Sequence, residues 1–240
     1  MKRVIGMVAA ALVVAGCQAS SGGAGKTANV KVDLAPNLDA YTVQQLAVFT
    51  FTNTSGNPDA ELMYNAILQA MGSRTKYAIM TVEEFGFVAK RVGVEADLER
   101  VVGGWRNRRL IDQGPLGNIL KATDADAAVF MDVKKWESVK LDPNQEGTSN
   151  TTVGLTVEMY APDGTLLWAA NHTKLVKSAS YNPDFNVRST IAGEARMTSA
   201  GAVPDPPKIE KVAVEAAEEA VATMPNLTGF PAPTEGATTP

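Results

Sequence analysis

This sequence predicts an α/β domain: a mixed sheet with flanking helices, in which a βαβ-like N-terminal half is followed by an antiparallel hairpin and a C-terminal helix. Three observations carry that expectation. Leu46-Ala47-Val48-Phe49-Thr50-Phe51 is apolar on both alternating faces, as suits an interior strand covered on two sides. Apolar stripes at spacings of three and four follow it, the period of helices packed on one face. From Val153 to Met159, by contrast, apolar residues alternate with Thr152, Gly154, Thr156 and Glu158, the pattern of a strand with one wet face.

The elements follow in order. Asn53-Thr54-Ser55-Gly56-Asn57 is a turn, and Asn57 suits a helix cap, with Pro58 in the first position and Asp59 and Glu61 near the positive end of the dipole. Leu62, Met63, Ala66, Ile67, Ala70 and Met71 share one face of that helix, and Gly72 is placed to close it. A strand over 77–82 comes next. Thr81 and Glu84 make a T-x-x-E capping box, which opens a helix with Phe85, Val88, Ala89 and Val92 inward. A second helix turns Leu98, Val101, Val102 and Trp105 inward and ends in Arg106, Arg108 and Arg109. Pro115 opens a short third helix, with Leu116, Ile119 and Leu120 inward, that leads through Asp124-Ala125-Asp126 into a strand over 127–133. Pro162-Asp163-Gly164 turns the chain and Leu166-Leu167-Trp168 begins its return, giving a hairpin over 152–176. Residues 181–207, with Pro183, Pro204, Pro206 and Pro207, form a long loop. Ile209, Val212, Ala213, Ala216, Ala220 and Met224 then space as a helix, with Glu210, Glu215, Glu218 and Glu219 outside. There is no internal repeat.

Composition narrows the function classes. The chain has 240 residues, is 45% hydrophobic and 20% charged, and carries one His, one Cys and a net charge of −4. One Cys excludes an internal disulfide, and one His with one Cys falls short of the roughly four soft ligands of a structural zinc site. A pI near 5.2 argues against a nucleic-acid partner. No cofactor is expected. Met1-Lys2-Arg3 is a basic start, and Val4 to Val14 is a run of eleven apolar or small residues. That is too short to span a bilayer, which takes about 20, and right for a cleavable signal, which takes about 7 to 15. The run ends in Val14-Ala15-Gly16-Cys17, followed by the small and polar Gln18-Ala19-Ser20-Ser21-Gly22-Gly23. This order resembles a bacterial lipoprotein signal with its lipobox. The resemblance implies that residues 1–16 are removed, that Cys17 is acylated (palmitate among the chains) and becomes the first mature residue, and that it holds the chain to a lipid bilayer. Gln18, where Asp would retain the protein at the inner membrane, implies the outer membrane, facing the periplasm. The mature chain would carry a side-chain charge of −6, having lost Lys2 and Arg3. Residues 17–43, rich in Gly, Ser, Ala and Asn, are expected to be the lipidated Cys and a flexible tether, 44–224 the folded domain and 225–240 a disordered tail.

Four stretches suggest a family together: LAVFTFTNTSGNPDAELMYNAI, YAIMTVEEFGFVAKRVG, LGNILKATDADAAVFMDV and TVGLTVEMYAPDGTLLW. They resemble the periplasmic domain shared by the curli-secretion lipoprotein (CsgG-like) family and the lipoprotein activator of a penicillin-binding protein (LpoB-like), over roughly residues 44–224. Val82-Glu83-Glu84 stands where that family usually has an Asp-Arg pair. The resemblance implies a domain that binds other envelope proteins or assembles into rings, with no catalysis.

Candidate chemistry is sparse. His172 is the sole imidazole, so nucleophilic catalysis would need it in a pocket beside a carboxylate, and no nucleophile motif lies near it. Gly22-Gly23 and Gly103-Gly104 sit in no phosphate-loop pattern. Glu83-Glu84 fits a helix start and Asp124/Asp126 a turn, although either pair has the makings of an acid and base. Trp136 and Trp168 are expected to pack within strands. Trp105, Arg106, Arg108 and Arg109 form the one basic cluster on an acidic chain. Arg forks beside a Trp suit a partner-binding surface, and the same residues equally suit a helix end where Arg complements the dipole and Trp packs inward. The expected function is an outer-membrane-anchored, non-enzymatic protein-binding module in a cell-envelope complex, serving cell-wall synthase activation or transport, and compatible with homo-oligomers. The alternative is a ring-forming subunit of an outer-membrane secretion channel. That needs lipid-facing strands of about 9 to 11 residues, while the hairpin carries Glu158, Asn171, His172 and Lys174.

Overall fold

A computed structural model describes residues 30–183, 188–189, 196–197 and 202–229 of the chain. The signal segment 1–16, Cys17 and the last residues of the expected tail lie outside that set. The elements run β1 (Val30–Leu34), β2 (Gln45–Asn53), α1 (Leu62–Arg74), β3 (Ala78–Met80), α2 (Val82–Val92), α3 (Glu95–Arg108), α4 (Gln113–Thr123), β4 (Ala127–Val139), β5 (Asn150–Tyr160), β6 (Leu166–Lys177), a two-residue ladder of β7 (Arg188–Ser189) with β8 (Arg196–Met197), and α5 (Ile209–Val221). The fold is the expected mixed α/β class. Its sheet has the order β1-β6-β5-β4-β2-β3, with β2 parallel to both β3 and β4 and antiparallel pairing from β4 through β5 and β6 to β1.

Helices cover the sheet unequally. α1 and α5 close one face over Leu46, Val48, Val129, Met131, Val157 and Trp168. On the other face α2, α3 and α4 cover β2 and the first half of β4, around Phe49, Phe85, Trp105, Leu116 and Phe130. The remainder of that second face, carrying Lys135, Glu137, Asn171 and Thr173, is polar and has no helix over it.

Two β-bulges set which side chains face which layer. In β2 the register shifts between Val48 and Thr50, so Phe49 and Thr50 both turn toward the α2–α4 layer while Phe51 returns to the α1 side. In β4 it shifts between Val133 and Lys135. Without that extra residue Trp136 would point to solvent and Lys135 into the core. With it, Trp136 is buried, and Lys135 lies outside over Gly154, where an added Cβ would sit 3.2 Å from the lysine's own.

Four expectations about boundaries are corrected. Residues 30–43, assigned to the tether on composition, belong to the fold: β1 pairs with β6, Val43 is buried, and the Tyr41 hydroxyl donates to Asp163 at 2.9 Å. The strand begun at Ala127 continues to Val139, so β4, β5 and β6 form a meander. α1 runs past Gly72 to Arg74. The tail begins later than residue 225, because Leu227 and Thr228 are buried. Tyr77 holds that segment, donating to the Pro225 carbonyl and accepting from the Leu227 N–H at 2.8 Å, while the Val43 N–H bonds the Leu227 carbonyl at 2.9 Å.

β1 is antiparallel to β6, β6 to β5 and β5 to β4, so Val30 enters the sheet at the end where β2 and β4 finish. The described chain therefore begins at the carboxyl end of the parallel strands.

Ending the chain at Met224 removes the Leu227 side chain and strips Tyr77 and Val43 of their partners. Urea unfolding should show a loss of about 2–4 kcal/mol; an unchanged midpoint would show that the terminal segment contributes nothing.

Candidate partner-binding site

At that same end α1, α2 and α3 stand apart around the last residues of β2 and leave a cleft of about 520 Å³. Crevices form there in sheets with parallel strands because the helices on either side of a strand's carboxyl end diverge. The β2 bulge supplies the base of the cleft with Phe49, Thr50 and Phe51. α1 contributes Tyr64 and Asn65, with Glu61 just before it; α2 contributes Val82 and Glu83; α3 contributes Leu98, Glu99, Val102 and Arg106. Tyr64 fixes the α1–α2 wall, donating to Glu83 at 3.3 Å and accepting from the Val82 N–H at 3.0 Å. Burial, with the Glu83 carboxylate beside it, raises the phenol above its ordinary value. The capping box is formed as expected, Thr81 and Glu84 bonding each other's backbone, so Glu84 is spent on the helix start and Glu83 is turned to the cleft.

The basic cluster divides. Arg106 donates to Thr50 Oγ1 at 2.7 Å and lines the cleft. Arg108 is exposed. Trp105 is 0% exposed, its indole N–H donating to Glu158 at 2.6 Å, so it belongs to the core and offers nothing to a partner. Arg109 closes α3 in the left-handed conformation at φ 53°, which folds its guanidinium over the Trp105 ring, 4.0 Å from the centroid, and onto the carboxylate of Asp132. The Asp132 side chain is 0% exposed, and its other oxygen accepts from Thr52 at 2.9 Å and Thr54 at 3.0 Å. Tyr160 donates to Glu158 at 3.0 Å, and burial, then that carboxylate, push its hydroxyl far up. Asp132, Glu158 and the two threonines were absent from the expected site. Asp132 carried a readable signal: a lone carboxylate inside the apolar run Ala127 to Val133 demands a cation.

The remaining candidates are structural. Asp126 accepts from the N–H groups of Gln44 and Gln45 at 2.8 and 2.9 Å, and Asp124 ends α4 in the left-handed conformation. Trp136 and Trp168 are buried. His172 does lie beside a carboxylate, with Nε2 2.8 Å from Glu219, but Lys174 also binds Glu219 and lies 3.0 Å from Glu215, so the group clamps α5 to β6. A cavity of about 330 Å³ runs past His172, Asn171, Thr173 and Lys134, and its lining holds no acid and no thiol. Burial pushes the Glu219 carboxyl up, but the hydrogen bonds from Lys174 and His172 outweigh it and hold it below its ordinary value.

No protein-family profile matches the chain, and no curated protein is similar to it in sequence. Remote likenesses exist among solved structures. A PelC dodecamer from Paraburkholderia phytofirmans is 14% identical at a TM-score of 0.44, over 80% of this chain and 96% of that one. Lipoprotein GNA1162 from Neisseria meningitidis is 17% identical at 0.40, over 56% and 84%. The LpoB C-terminal domain from Salmonella enterica is 11% identical at 0.35, over 57% and 85%.

Arg109→Met leaves the buried Asp132 carboxylate without its cation and should cost about 3–5 kcal/mol in denaturant unfolding, while Arg108→Met should stay within about 0.5 kcal/mol of the parent. Equal effects at the two positions would refute the division of the cluster. Because Glu219 is held below its unfolded value, its contribution is in place above about pH 4.5 and drains away as pH falls further. Glu219→Gln should therefore be less stable at neutral pH and lose less on acidification; urea midpoints across that range, parallel for the two proteins, would contradict this.

Proposed function

We propose that this protein is an outer-membrane lipoprotein, anchored through Cys17, whose domain works in the periplasm as a non-enzymatic protein-binding module of a cell-envelope complex. The observation that carries the reading is the order of the first seventeen residues: a basic start, eleven apolar or small residues, then Val14-Ala15-Gly16-Cys17. Twelve residues, Gln18 to Asn29, separate that cysteine from β1, a span of at most about 40 Å when fully extended. A domain tethered that closely meets a membrane-linked partner at raised effective concentration, so docking needs only modest intrinsic affinity. The described chain enters the sheet at Val30, at the same end of the sheet as the cleft. Of the basic cluster, Arg106 is engaged by Thr50 inside the cleft, and Arg108, exposed outside it, is the member left free to meet a partner. A cell-wall synthase or a transport component fits this role. The alternative of a secretion-channel ring is disfavoured by the helix-free face of β4, β5 and β6, where Lys135, Glu137, Asn171 and Thr173 stand in place of a lipid-facing apolar band.

Labelled palmitate should enter the wild-type protein and not Cys17→Ala, which should accumulate as an uncleaved or misplaced precursor. Gln18→Asp should shift the mature protein toward the inner membrane on a density gradient. Label in Cys17→Ala would overturn the anchor, and an unmoved Gln18→Asp protein the outer-membrane assignment.

A further inference from the structure

The mouth and the base of the cleft at the end of β2 differ in character. Glu61, Glu83 and Glu99 stand exposed at the mouth, and among the described residues none of them is in a salt bridge. The single cation lining the cleft, Arg106, is drawn toward the base by Thr50. Three carboxylates against one guanidinium leave the mouth acidic. Beneath them Phe51, Val82, Leu98 and Val102 are half-buried and present an apolar surface. Asn65 also lines the cleft, an exposed amide able both to donate and to accept, the complement of a peptide group.

Resting on the reading of a protein-binding module, we infer that this cleft takes a short segment of a partner polypeptide, one that seats an apolar side chain on Phe51, Leu98 and Val102 and a Lys or Arg among Glu61, Glu83 and Glu99. The chemistry selects against other occupants. A small polycation satisfies the carboxylates and leaves the apolar base wet, and an acidic segment is repelled at the mouth. Desolvation of the apolar side chain supplies affinity, while the rim carboxylates speed encounter and reject wrong partners, so binding must weaken as salt rises.

The test titrates the mature acylated protein in non-ionic micelles with a fluorescent tetrapeptide of alternating Lys and Leu, alongside one of alternating Glu and Leu and alongside spermidine, each corrected for empty micelles. The Lys-Leu peptide should bind saturably and weaken roughly tenfold on Glu61→Gln/Glu99→Gln, both exposed positions, with the melting temperature lowered by no more than a few degrees through the lost helix-start charge of Glu61. It should weaken again between about 0.05 and 0.5 M salt. No saturable binding, equal binding of the Glu-Leu peptide, full competition by spermidine at equal charge, or an unaffected double variant would overturn the inference. Palmitate labelling and membrane fractionation do not depend on Glu61 or Glu99, so a failed titration with acylation intact retires the peptide site alone. Failed acylation with binding intact retires the anchor alone.

Discussion

A fully buried carboxylate in the middle of the sheet constrains more of this molecule than any other group. Asp132 sits on β4, the strand between the parallel and antiparallel halves, and it is closed off from water. A charge there is tolerated only if it is paired and its lone pairs are filled. Thr52 and Thr54 fill one oxygen and Arg109 takes the other. The requirement then propagates. For Arg109 to reach Asp132, α3 must stop at Arg108 and Arg109 must adopt a left-handed conformation that an L side chain holds only at a cost. The stop fixes Trp105 under the guanidinium and Glu158 against the indole, so the position of α3 over the sheet is set by polar contacts as much as by the apolar stripe of Leu98, Val101 and Val102. One wall of the cleft follows from that placement.

The elements that were legible in the sequence are those whose periodicity reports a single environment. α5 matches its stripe, the Thr81 box is formed, and α2 turns Phe85 and Ala89 inward, although Val92 at its end is exposed; in β5 Val153, Leu155, Val157 and Met159 face the core as expected, while the face expected to be wet buries Gly154 and Thr156. What periodicity missed shares a different physics. β1 has five residues with partial burial on one face, an edge strand whose existence depends on β6 waiting beside it. The far half of β4 has Lys134 and Lys135 inserted between Val133 and Trp136, which breaks the alternation that announces a strand; the bulge that absorbs the extra residue is a property of pairing with β5. Leu227 is held in place by Tyr77, 150 positions away, and nothing local signals it.

Site residues followed the same division. Three arginines in four positions are conspicuous as composition, yet they have three different fates, because a helix end distributes successive side chains around its axis. One goes down to Thr50, one out to solvent, one back over Trp105 to Asp132. The cleft itself was illegible, since it draws residues from β2, α1, α2 and α3 that are up to 57 positions apart, Phe49 to Arg106, and becomes a unit only when the β2 bulge turns Thr50 toward α3. His172 shows why a residue pair is judged by what else it touches. An imidazole beside a carboxylate has the form of a catalytic pair, but Lys174 shares that carboxylate and α5 lies over it, and the group contributes cohesion between helix and sheet.

The two ends of the sheet are chemically unlike. At the end where β2 begins, Tyr41, Val43, Tyr77 and the segment through Leu227 are joined in closed hydrogen-bonded contacts. At the other end β2 leads into the cleft, and the described chain begins at Val30. On the proposed reading, in which Cys17 holds the chain to a membrane, the cleft and the first described residue share one end of the sheet and the closed contacts lie at the other. The carboxylates at the mouth bear on selectivity: a chain of net charge −4 repels acidic neighbours generally, while the inferred basic, apolar segment would find apolar surface and carboxylates outside any described salt bridge together in the cleft. On that reading, tethering would restrict the directions from which a partner arrives and the cleft would restrict its chemistry. Selectivity of the proposed binding module would then come from the product of the two restrictions, with neither alone needing to be strong.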